Sequence, residues 1–160
     1  MPVTTRIEEV RNEITALAQA APTAKDLMEG VCGLLHERML KYNWVGFYMI
    51  EPGAKPPVLT LEAFVGAMTP HTRIPLNQGI CGAAASSGKT IVVDDVSKDP
   101  RYLACSLETK SEIVVPIFVK KKVAGELDID SHFAAAFGAE DQDLVQYCAE
   151  VVGKKIETSQ

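Results

Sequence analysis

Four cysteines, Cys32, Cys81, Cys105 and Cys148, are the thiols through which this chain could do redox or nucleophilic chemistry. No two of them form a Cys-x-x-Cys pair, and none of His36, His71 and His132 lies at metal-ligand spacing from a cysteine. The spacing therefore indicates neither a zinc site nor a secreted disulfide framework, and no metal is expected. Cys105 sits in the polar run DDVSKDPRYLACSLETKSE, where a cysteine has no evident packing duty and a small substrate could reach it. It is the strongest candidate nucleophile, against the plainer reading of a half-buried loop cysteine with no role. Cys81 lies between Gly79 and Gly82 at the start of a small-residue segment. It is either a packing residue or a thiol whose pKa a helix N-terminus lowers, favouring the thiolate that attacks a sulfenic acid or a disulfide. Cys32 and Cys148 fall among apolar neighbours in helical patterns and read as core.

A second group of chemistry-bearing residues is acidic. In GELDIDS the strand period of two puts Leu127 and Ile129 on one face and Glu126, Asp128 and Asp130 on the other. On a solvated strand these are ordinary surface carboxylates. Lining a pocket, they would repel, raise one another's pKa, and together attract an ammonium group or share a proton. Glu112, at the start of the neighbouring strand-like run, can join them or be a surface residue. Trp44 and Tyr48, four apart in a probable strand, share a face and form either a ligand's aromatic wall or part of the core.

The elements that must position these residues follow from hydrophobic periodicity. Ile7, Val10, Ile14 and Leu17 recur at helical steps from Thr5 to Ala20, and Pro22 ends that helix. Thr23 with Asp26 reads as an N-cap for a second helix carrying Leu27, Val31, Leu34, Leu35 and Met39. WVGFYMI and VLTLEAFV are strand-like and joined by the loose EPGAKPP loop. A short RIP segment, the helix-like GICGAAASSG and a returning strand TIVVDD follow, and then a polar loop over residues 94 to 110. EIVVPIFV and VAGELDID are two further strands joined across the Lys120-Lys121-Lys122 turn, and a last helix runs from Glu140 to Ile156. The reading is α+β: a central antiparallel sheet of about six strands with N- and C-terminal helices packed on one face. A single domain is expected over residues 1–160, with N-terminal helices at 5–41, sheet and loops at 44–131 and a C-terminal helix at 140–157. The string SSGKT is not a phosphate loop, because Gly82 to Gly88 encloses five residues where that motif demands four.

Composition narrows the function class. With 47% apolar and 23% charged residues, 160 residues make one ordinary core. The net charge of -5, free of single-sign blocks, disfavours nucleic-acid binding. No stretch approaches a membrane-spanning length and MPVTTRIEEV lacks the features of a signal peptide, so neither membrane association nor export is expected and the compartment read from sequence is cytoplasmic.

Five motifs in order, NW-x-GFY at 43–48, RIP-x-x-x-G-x-CG at 73–82, AC at 104–105, SEIV-x-P at 111–116 and LDIDS at 127–131, resemble the free methionine-(R)-sulfoxide reductases. The resemblance implies a GAF fold and an oxidoreductase acting on free L-methionine (R)-sulfoxide. It implies Cys105 as nucleophile, Glu112, Asp128 and Asp130 as carboxylates around the substrate, and Trp44 and Tyr48 as its aromatic wall. It further implies a sulfenic acid on Cys105 and a disulfide reopened by thioredoxin or another dithiol, with no tightly bound cofactor, and a homodimer. The sequence departs from the family at His71, where many members carry the usual resolving cysteine, which leaves Cys81 as the replacement candidate. A competing expectation is a GAF sensor or binding module that keeps the pocket without turnover, and a weaker one is a thiol protein that reacts with peroxide.

Overall fold

The computed structural model describes residues 3–103 and 107–159. Two N-terminal helices, α1 (Val3–Ala20) and α2 (Ala24–Arg38), precede strands β1 (Trp44–Ile50), β2 (Val58–Val65) and β3 (Arg73–Pro75). Helix α3 (Gly79–Ser87) leads to β4 (Ile91–Val93), and after a 3-10 turn at Val96–Lys98 come β5 (Ser111–Val119), β6 (Lys122–Ser131) and helix α4 (Ala139–Thr158). The strands form one antiparallel sheet in the order β3-β2-β1-β6-β5-β4.

Local chemistry explains the element boundaries. Thr23 caps α2 as expected, its Oγ1 accepting the Asp26 N–H at 3.1 Å. Between β5 and β6 the lysine run makes a two-residue turn, with Lys120 and Lys121 at φ of 52° and 67°, the twist that suits a tight hairpin. Lys122 already belongs to β6. The run expected as TIVVDD is shorter in the structure, because Asp95 turns its side chain to the Ser97 N–H and starts the 3-10 turn.

Alternation along β1, β5 and β6 divides the molecule into two layers. One face presents Val45, Phe47, Ile113, Val115, Ile117, Leu127 and Ile129 to α1, α2 and α4, which bury Ile14, Leu27, Leu35, Leu144 and Val152 against them. Cys32 and Cys148 lie in this layer, as core residues. The other face carries Trp44, Tyr48 and Val114 and is covered by α3 through Ile80, Cys81, Ala84 and Ala85. Helices thus cover both faces, the three long ones on one and α3 on the other. Among the described residues no helix is long and apolar enough to cross a membrane.

Candidate functional site

The strand register assembles the site on the α3 face. Directly paired residues of antiparallel strands share a face, and β6 is flanked on both sides. Trp44 of β1, Asp130 of β6 and Glu112 of β5 form one row across the sheet. Gly46, Asp128 and Val114 form the next, and Tyr48, Glu126 and Pro116 the third. The three β6 carboxylates thus stand between an aromatic strand and a strand that adds a fourth carboxylate.

None of the four meets bulk water. Glu126 has 0% exposure, Asp128 and Asp130 4% and Glu112 5%. Of the two possibilities open in the sequence, the solvated strand is overturned: α3 and the aromatic pair cover this face. Gly46 makes room for that cover, since a Cβ there would run into the Trp44 indole, which lies across it. Trp44 packs on Phe64 with ring centroids 5.8 Å apart and on Tyr48 at 6.2 Å. Its Nε1 donates to the Ala67 carbonyl at 3.0 Å, and the Tyr48 hydroxyl donates to the His71 carbonyl at 2.7 Å. Asn43 fixes the end of β6, its N–H donating to the Asp130 carbonyl and its Oδ1 accepting the His132 N–H, at 3.0 and 2.7 Å.

From the opposite side α3 contributes Cys81. Gly82 lets the helix sit tightly on the preceding turn, because a Cβ there would meet the carbonyl oxygens of Leu76 and Pro75 at 2.9 and 3.0 Å. The Cys81 thiol donates to Asp128 Oδ2 at 3.3 Å. Both carboxyl oxygens of Glu126, and Oδ1 of Asp128 and of Asp130, are buried without a hydrogen-bond partner among the described residues. The ion pairs found there all lie elsewhere.

Burial without counter-charge dictates the protonation behaviour. Desolvation raises Glu112 well above the ordinary carboxylate range, and the neighbouring Asp128 and Asp130 raise it further. Asp130 and Glu126 are raised chiefly by burial and secondarily by Asp128. Asp128 is raised by burial, partly offset by hydrogen bonds from Glu112 and Cys81. Cys81 is also raised well above its ordinary value, by burial first and then by Asp128, Glu126 and Glu112. This corrects the expectation of a thiol acidified by a helix N-terminus: removal from water and three adjacent carboxylates outweigh the helix end.

Tyr48, His71, Ile74, Gly79, Ile80, Cys81, Leu103, Glu112 and Asp128 line a cavity of ≈ 20 Å³, the room of about one water. The structure therefore brings Tyr48, Cys81, Glu112 and Asp128 to one cavity. Trp44 and Asp130 share the row of Glu112 without lining the cavity themselves. Cys105 lies outside the described residues. Ligand atoms of Cys81, Glu112 and Asp128 come within 4.8 Å of one another, an arrangement that sequence spacing did not suggest because each residue comes from a different element. His71, noted in the sequence only as a departure, lines the same cavity. Glu126 is the carboxylate that the alternation placed on this face but that the candidate set omitted.

Residues 24–156 match the GAF domain family. The chain is also 33% identical over 144 residues to the free methionine-R-sulfoxide reductase of Escherichia coli (strain K12), covering 89% of this chain and 84% of that protein. The chain belongs to the free methionine-R-sulfoxide reductase family of GAF domains. Solved structures agree with this membership. The free methionine-R-sulfoxide reductase of Neisseria meningitidis, determined in complex with its substrate, superposes with a TM-score of 0.92 at 32% identity, covering 99% of this chain and 93% of that one. The type II free methionine-R-sulfoxide reductase of Thermoplasma acidophilum is 39% identical with a TM-score of 0.78, covering 89% and 96%. The chain thus has the expected GAF fold and belongs to a family of oxidoreductases.

Proposed function

We propose that the protein reduces free L-methionine (R)-sulfoxide to methionine in the pocket between α3 and the β1-β6-β5 face. The observation that carries this reading is the group of buried carboxylates that have no counter-cation among the described residues, walled by Trp44 and Tyr48. A free amino acid brings the missing charge as its ammonium group, which a peptide-bound residue lacks. Its thioether-sized side chain suits an aromatic wall, with favourable sulfur-ring contacts. The cavity of ≈ 20 Å³ is smaller than such a substrate, so binding requires a wall to move, as in many enzymes that close over their ligand.

Burial, with the neighbouring carboxylates, raises Glu112 and Asp130 above the ordinary carboxylate range, which favours the carboxylic acid form that donates to the sulfoxide oxygen. Cys105 as thiolate attacks the sulfoxide sulfur, and the protonated oxygen ends on the cysteine as a sulfenic acid while methionine leaves. The Cys81 thiol then condenses with the sulfenic acid, releasing water and forming a disulfide. Cys81 must lose its proton for this step, and Asp128, which already accepts its hydrogen bond, is the base. An external dithiol such as thioredoxin reopens the disulfide by exchange and returns both thiols, so no bound cofactor enters the cycle. The protein works in the cytoplasm as a homodimer in this reading.

The test is thioredoxin-coupled NADPH oxidation with separate R and S isomers of free methionine sulfoxide. Turnover of the R isomer alone is expected, abolished in Cys105→Ser and reduced in Cys81→Ser. Absence of turnover with both isomers, under thioredoxin and under a small dithiol alike, would leave a ligand-binding GAF module.

A further inference from the structure

The cavity beneath α3 gathers a donor set that, besides serving the reaction proposed above, also suits a cation. It is sized for a single atom or water and is lined together by a thiol, Cys81, and two carboxylates, Glu112 and Asp128. Their ligand atoms lie within 4.8 Å of one another. The Cys81 Sγ to Asp128 Oδ2 separation is 3.3 Å, near the about 3.5 Å that separates a sulfur and an oxygen on one tetrahedral zinc ion. Asp128 is buried and lines the cavity, yet its Oδ1 has no hydrogen-bond partner among the described residues. A buried acceptor without a donor is one that a cation can satisfy.

We propose that Cys81, Glu112 and Asp128 form a binding site for one zinc ion. The Cys81 thiolate supplies the soft ligand and the two carboxylates supply oxygen, a set that selects zinc over magnesium or calcium. Three protein ligands leave a fourth coordination position for a water. Binding releases the thiol proton and any carboxyl protons to solvent, so affinity rises with pH. Zinc binding itself is independent of the sulfoxide reaction. Its consequence, reversible inhibition through capture of Cys81 and the substrate carboxylates, rests on the function proposed above.

The experiment loads the reduced, metal-free native protein with Zn²⁺ and, separately, with Co²⁺ as a spectroscopic substitute. Equilibrium dialysis is expected to give one zinc per chain, and Co²⁺ a near-ultraviolet thiolate-to-metal band with the strong visible absorption of a four-coordinate site. Cys81→Ser should remove the thiolate band. Asp128→Asn should weaken zinc by more than the roughly 10- to 100-fold cost of losing an outer-shell partner, while Cys105→Ser keeps both binding and band. No stoichiometric zinc, or no thiolate band in the native protein, overturns the site irrespective of how any variant folds. So does a band that survives Cys81→Ser. Because binding is read without turnover, an inactive protein that takes up zinc at Cys81 sinks only the reductase reading, and an active one that takes up none sinks only the zinc site.

Discussion

The two faces of β6 are one residue apart in sequence and opposite in physics. Leu127 and Ile129 close the apolar layer under α1, α2 and α4, whereas Glu126, Asp128 and Asp130 point into the layer under α3. All five are almost wholly buried. Burial stabilises the fold where the side chain is hydrocarbon and costs stability where it is a carboxyl without a counter-charge. The sheet is thus held from one side and holds its chemistry on the other. A protein that keeps four carboxyls in a buried layer retains them for something other than stability, in line with the clustering of perturbed groups at functional sites.

The sharpest way to break this comparison is to alter one residue on each face. Asp128→Asn preserves shape and an acceptor for the Cys81 thiol but removes the charge. We expect turnover of free methionine (R)-sulfoxide to fall on the order of 100- to 10,000-fold, the range associated with a lost acid-base group, while the urea midpoint stays the same or rises. Leu127→Ala should do the reverse, lowering stability by about 2–5 kcal/mol in urea denaturation while activity per folded molecule holds near the native value. An Asp128→Asn protein as unstable as Leu127→Ala would mean that the carboxylates are structural and the contrast between the faces is false.

Glu126 sharpens the comparison further through pH. Its folded pKa is raised above the unfolded value, so the folded state holds the proton more tightly. That contribution is complete below the unfolded pKa and declines as pH rises toward the folded one. Glu126→Gln removes this titration. The variant should therefore gain on the native protein as pH rises above the ordinary glutamate range, by at most about 1.4 kcal/mol per pH unit. Thermal melts across that window check the sign, and a difference between the two proteins that does not grow with pH would show that Glu126 is not held protonated by its burial.

The legibility of this molecule in its sequence also divides by face. Helical steps in α1, α2 and α4 and the alternation of GELDIDS revealed the apolar layer because each signal is local and periodic. The same alternation put Glu126, Asp128 and Asp130 together, but whether they met water depended on α3, some 45 positions away in the chain. For the same reason the helix start at Cys81 is a poor guide to its pKa. A helix start is visible in the sequence, and the three carboxylates beneath it become visible only through strand pairing. The cavity gathers residues from β1, the β2-β3 connection, β3, α3, the loop before β5, β5 and β6, and no spacing rule reaches across so many elements. His71 could have been found from one signal, its position just before the RIP motif, where the family resemblance expects a cysteine.

The smallest effect concerns how that histidine segment is held. The Tyr48 hydroxyl donates to the His71 carbonyl at 2.7 Å, tying the connection between β2 and β3 to the middle of β1. Tyr48→Phe keeps the aromatic wall and deletes this donor, which should cost about 0.5–1.5 kcal/mol in urea denaturation. Because the segment forms one wall of the cavity, loosening it should raise KM for the sulfoxide more than it lowers kcat. Steady-state kinetics beside the denaturation curve separates the two roles of the ring and its hydroxyl. A lowered kcat with KM unchanged would instead put the hydroxyl among the groups that meet the developing charge in the transition state, and Tyr48 would then belong with the carboxylates and not with the wall.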